Sequence, residues 1–128
     1  MKPLTREWVG KAEGDFATAT RELRARKAPN YDAACFHAQQ CAEKYLKARL
    51  QEAAISFGKT HNLVALLDLF IPIDPSWETL RPHLRVLTVF AVEVRYPGET
   101  ADKGEAREAL ALCREVRRRV RVSLRIEP

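Results

Sequence analysis

The chain has 128 residues, enough for one hydrophobic core but not for two independent ones, so it reads as a single domain over 1–128. Hydrophobic residues make up 46% and charged residues 30%, a globular balance that excludes a disordered or fibrous chain. A net charge of +5 favours an acidic partner, and neither an export signal nor an apolar run of about 20 residues is present, so a soluble cytoplasmic protein is predicted.

Trp8, Ala12, Phe16, Ala19 and Leu23 recur every three or four positions, predicting a first helix with Thr5 as its N-cap and Pro29 beyond its end. A second helix is predicted from Asn30, a cap followed by Asp32, to about Ala54, with Gly58 in the connection after it. Its small residues, Ala33, Ala34, Cys35, Ala38, Cys41, Ala42 and Ala48, let neighbouring helices approach closely and place it at the centre of the fold. Thr60 is the predicted cap of a short third helix from about Asn62 to Phe70, which Pro72 and Pro75 end.

Leu80, Leu84, Leu87, Ala91 and Val94 mark a fourth helix, with Val86, Val89 and Phe90 widening its apolar surface. The β-branched run Val86 to Val94 would suit a strand, but its three-and-four spacing favours helix. Past Pro97 and Gly98, Thr100 is the predicted cap of a long fifth helix whose first turn carries Asp102 and Glu105. Its core face is Ala106, Ala109, Leu110, Cys113, Val116, Val120 and Leu124. Short connections favour antiparallel neighbours, so the predicted fold class is all-α, an up-and-down bundle of four main helices plus one short helix. The odd cysteine, and the rotation of about 240° between Cys35 and Cys41 on one helix, point to reduced core residues.

The run from Tyr31 to Ala48, with Phe36-His37-Ala38-Gln39-Gln40 at its centre and Ala42-Glu43-Lys44 behind it, resembles the signature helix of HEPN domains. His61 followed by Leu63, Leu66 and Leu67 resembles that family's next element, and Arg95-Tyr96-Pro97-Gly98-Glu99 resembles the break before its last helix. The resemblance implies a helical bundle that forms homodimers or higher homo-oligomers and is often encoded beside a minimal nucleotidyltransferase. Family members include ribonucleases, toxin or antitoxin components and nucleotide-binding modules. Ribonuclease members carry an arginine and, a few residues on, a histidine, which cut RNA without metal. Counting from Arg95, the histidine positions hold Thr100, Ala101 and Asp102, none of which shuttles a proton as imidazole does near neutral pH.

Arg95 suits the helix dipole in a last helical turn, or binds a phosphate with Tyr96 as a stacking surface. His37, Gln40 and Lys44 fall on one stripe of the second helix, which serves either a polar network between helices or subunits or a nucleotide contact. His61, beside Thr60, reads as a local structural residue more than as a base. His37 and Cys41 have metal-compatible spacing, but no third ligand is signalled, so no metal and no cofactor are expected. On a helical wheel Arg107, Arg114, Arg118, Arg121 and Arg125 fall within about 60° of one another, either as a solvated face or as a docking strip for RNA phosphates or an acidic protein surface. No aromatic residue interleaves them, which argues against reading of bases.

The expected function is that of a non-catalytic HEPN module binding a nucleotide, a minimal nucleotidyltransferase partner, or both, as in a toxin–antitoxin pair. The alternative is a metal-independent ribonuclease using Arg95 with His37, His61 or a histidine across a dimer.

Overall fold

In the computed structural model, which describes residues 1–92 and 97–128, five α-helices and one 3₁₀ turn form where the apolar spacing directs. Helix α1 spans Pro3–Arg24, with proline at its start, where its missing N–H leaves nothing unpaired. Thr5 is not its cap. It lies buried inside the first turn and donates its hydroxyl to Glu52 Oε1 at 2.9 Å, and the same oxygen accepts the Lys2 N–H at 3.0 Å. A carboxylate from the next helix thus satisfies the start of α1.

Helix α2 spans Tyr31–Glu52 and is capped by Asn30, whose side-chain oxygen accepts the Ala33 N–H at 2.9 Å. It ends with Ala54 in the left-handed region at φ 58° and with the Ile55 N–H bonded back to the Leu50 carbonyl at 3.0 Å, a closure that glycine would adopt with less strain. Ala34, Cys35, Ala38, Cys41, Ala42 and Ala48 are buried, and α2 packs on every other helix. Its central place follows from those small side chains.

Helix α3, Leu63–Phe70, is capped by Asn62 and not by Thr60: the Asn62 side chain accepts the Ala65 N–H at 3.0 Å, while Thr60 Oγ1 accepts the Asn62 N–H. The connection after Pro72 contains a 3₁₀ turn over Pro75–Leu80 that helical periodicity did not signal. It carries Trp77 into the core against Phe70, with ring centroids 4.3 Å apart. Leu80 belongs to this turn, and helix α4 follows as Arg81–Val92. Leu84 and Leu87 are buried, Val86 and Phe90 partly so, and Val89 is exposed, so the broad apolar surface of α4 is only partly covered within the chain. Val94, Arg95 and Tyr96 lie outside the described residues.

Helix α5, Lys103–Ser123, starts at Asp102 instead of Thr100. Asp102 Oδ1 accepts the Glu105 N–H at 2.7 Å, and Glu105 Oε1 accepts the Asp102 N–H at 3.3 Å, a reciprocal capping box. Ala106, Ala109, Leu110, Cys113, Val116 and Val120 are buried, with Leu124 packed at the margin. Asp15 on α1 meets His37 and Lys44 on α2, and Glu13 meets Arg117, so α1 runs antiparallel to α2 and α5. Arg49 bonds Ser123 as Asp32 bonds Ala101, so α2 and α5 run parallel at the centre of an up-and-down bundle. All three cysteines are buried; Cys41 and Cys113 touch there, and burial pushes the Cys41 thiol well above its usual range. Among the described residues no helix is long and apolar enough to cross a membrane.

Candidate functional site

His37 and Lys44 of the polar stripe on α2 face α1, and no single-helix pattern signalled their partner there. Asp15 bridges them: Oδ1 lies 2.7 Å from His37 Nδ1, and Oδ2 accepts from Lys44 Nζ at 2.5 Å. The carboxylate is 10% exposed and the imidazole 31%, so the pair sits at the rim of the α1–α2 contact. An ionised carboxylate only accepts, so the His37 nitrogen facing it, Nδ1, is the one that carries an N–H, and in the neutral ring Nε2 is then the acceptor. That is how a carboxylate orients a general base, although here the second carboxylate oxygen is held by an ammonium group. Gln40 turns aside and donates to Gln39 Oε1 at 3.1 Å.

One turn further along α2 lies a set that sequence reasoning missed. Glu43 accepts from Lys47 Nζ at 3.1 Å, and both side chains are almost wholly buried, at 3% and 6% exposure. The Lys47 ammonium sits 5.4 Å from the Trp8 ring centre and 5.8 Å from that of Phe57, so two aromatic faces replace part of its hydration. His61 reaches the same carboxylate from the loop before α3, with Nδ1 3.1 Å from Glu43 Oε2, while its own side chain remains 78% exposed. His61 therefore marks a buried charge as well as neighbouring the Thr60 turn. The signal was an acid and a base one turn apart on α2, Glu43 and Lys47.

The third set joins α1, α2 and α5. Arg117 holds Glu13 with two bonds, at 2.7 and 2.8 Å, and Tyr45 donates its buried hydroxyl to the same carboxylate at 2.5 Å. The Arg117 hydrogen bond is the main reason the Glu13 carboxyl is held below its ordinary range, and burial is the main reason the Tyr45 phenol is pushed up. Arg121 bonds the Tyr45 oxygen at 3.0 Å and the Glu127 carbonyl.

The arginine stripe divides accordingly. Arg121 is turned inward, Arg118 is paired with Glu115 at 2.6 Å, and Arg114 lies over Phe16 at 5.8 Å. Arg125 stands past the end of α5 in the left-handed region at φ 60°. Arg107 is exposed near the start of α5, apart from these contacts.

The three positions counted from Arg95 are taken up by the start of α5. Ala101 is buried at 4% exposure and donates its N–H to Asp32 Oδ1 at 2.7 Å, Asp102 is the helix cap, and Thr100 is exposed just before them. Arg95 and Tyr96 themselves lie outside the described residues.

A family profile described as the HEPN domain matches residues 5–123. The chain is similar to the crystal structure of TT1696 from Thermus thermophilus, at 27% identity and TM-score 0.70, covering 92% of this chain and 96% of that one. It shares its fold with a structure described as an archaeal HEPN homologue, at 23% identity and TM-score 0.70, covering 97% of this chain and 99% of that one. No curated protein matches.

Proposed function

The chain belongs to the HEPN domain family, and from that premise we propose that it is a non-catalytic member that acts by binding a nucleotide, a minimal nucleotidyltransferase partner of the toxin–antitoxin kind, or both. One observation carries the reading. The three positions where a ribonuclease of this family places its histidine hold the exposed Thr100, the buried Ala101 and the helix cap Asp102, at the entry to α5. None of the three shuttles a proton as imidazole does near neutral pH. The partly uncovered face of α4, with Val89 exposed, supports self-association as a homodimer or higher homo-oligomer.

The test has two arms. Mixed RNA incubated with the pure protein in chelator is expected to stay intact, while calorimetry with nucleoside phosphates, or co-purification with a minimal nucleotidyltransferase from the same genome, is expected to show binding. Failure of both binding measurements would sink the proposal.

A second reading rests on His37. Its Nδ1 is fixed by Asp15 and its ring is part-exposed, an arrangement that would serve RNA cleavage if Arg95 or a second subunit supplied a cation nearby. Cleavage that disappears in both His37→Ala and Arg95→Ala variants would establish this reading in place of the first.

A further inference from the structure

We propose that the cleft between the end of α1 and the starts of α2 and α5 binds a chain of adjacent phosphates, as carried by a nucleoside polyphosphate. This deepens the nucleotide half of the reading above and rests on it. The cleft has a volume of about 650 Å³ and is lined by Arg24, Arg26, Tyr31, Lys103 and Arg107. Arg24 closes the last turn of α1 and Arg26 follows it; Lys103 and Arg107 stand one turn apart on α5; Tyr31 opens α2. Residues distant in sequence thus bring four cations to one concavity, of a size that suits a small ligand.

Ordinary structural roles account for little of this. The dipole of α1 favours a cation at Arg24, but Lys103 occupies the positive end of α5, where a cation is disfavoured. All four side chains belong to exposed residues, and among the described residues none forms an ion pair or hydrogen bond with a carboxylate. Arg81, Arg117 and Arg118 each have such a partner. The neighbouring acids are occupied: Asp102 and Glu105 close the capping box, and Asp32 accepts the Ala101 N–H. Concentrating like charges without counter-ions repels, and an anionic ligand relieves that repulsion. Arginine forks match phosphate oxygens in pairs, the lysine adds a compact charge, and the flat face of Tyr31 suits a base.

The experiment is calorimetry at low salt with tripolyphosphate and, separately, with a nucleoside triphosphate. Both are expected to bind the wild type, and an Arg24→Glu, Arg107→Glu double variant is expected to lose at least about tenfold in affinity for each. An Arg118→Glu, Arg125→Glu control, equal in charge change but remote from the cleft, is expected to stay within about twofold. The neutral pair Arg24→Gln, Arg107→Gln repeats the measurement should charge reversal disturb folding. Tyr31→Ala is expected to weaken the nucleoside triphosphate alone, and equal losses on both ligands would overturn the nucleoside assignment.

The cleft is overturned if the wild type binds neither ligand, or if cleft and control variants bind alike. Nucleotide binding that survives the cleft variants removes this site and leaves the nucleotide reading standing. A wild type that holds a nucleotidyltransferase but no nucleotide removes the site and leaves the partner reading.

Discussion

Charge is handled in opposite ways at two places along α2. From His37 to Lys47 each ionisable side chain is matched: Asp15 answers His37 and Lys44, and Glu43 answers Lys47 and His61. At Tyr31, where the helix begins, the cleft gathers only cations. The difference follows from burial. A charge enclosed between helices must be paired and hydrogen-bonded, because water no longer solvates it. A charge at the end of the bundle keeps its water and can stay unpaired until an anion arrives. Closed networks of the first kind join helices to one another; open clusters of the second kind are where an outside ligand can be recognised.

The largest effect that would break this comparison is expected inside the closed set. Glu43→Ala strands the buried Lys47 ammonium and should cost about 3–5 kcal/mol, read as a fall in the urea midpoint. A Glu43→Met, Lys47→Met double variant should recover most of that loss, because two well-packed apolar chains can replace a buried pair. If the double variant is as unstable as the single one, the ion pair itself contributes net stability. Neither change should alter polyphosphate binding at the cleft.

A smaller effect is expected where the two regimes meet, at the start of α5. Asp102→Ala removes the acceptor for the Glu105 N–H and should cost about 1 kcal/mol in thermal or urea unfolding. The same change takes an anion from beside the four cations. Polyphosphate affinity should therefore hold or rise while stability falls, and a parallel loss of both would argue against an open cleft.

The helices were legible because burial imposes a period: Trp8 to Leu23, Leu84 to Leu87 and Ala106 to Val120 each return to the core every three or four residues. The caps were harder to read. Thr60 and Asn62, or Thr100 and Asp102, are both capable, and which one acts is set by where the helix must start to bury its first apolar residues, Leu63 and Ala106. The 3₁₀ turn at Pro75–Leu80 is too short to show a period. In the candidate site, the stripe His37, Gln40, Lys44 could be seen on one helix, but Asp15 could not, since its role depends on how α1 and α2 align. The helical wheel grouped Arg107 with the other arginines of α5. Packing instead groups it with Arg24 and Arg26, which no single-helix pattern can show.

The mildest test separates the two regimes by acid. Arg117, above all, holds the Glu13 carboxyl below its unfolded value of 4.5, with Tyr45 adding a further hydrogen bond. A folded pKa that is depressed contributes stability at pH values above the unfolded pKa, and that contribution is lost as pH falls through the folded pKa. Glu13 is 35% exposed, so solvent screens it and the expected contribution is held to about 0.5–1 kcal/mol. The difference in unfolding free energy between wild type and Glu13→Gln should be full near pH 7 and shrink as the solution is acidified below the carboxylate range. A difference that stays constant with pH would mean that Glu13 acts by shape and neutral hydrogen bonding alone. Arginine and lysine keep their charge over this whole range, so the cations of the cleft should be unaffected by the same titration. An affinity for tripolyphosphate that tracked the loss of the Glu13 contribution would show the closed network and the open cleft to be one coupled system.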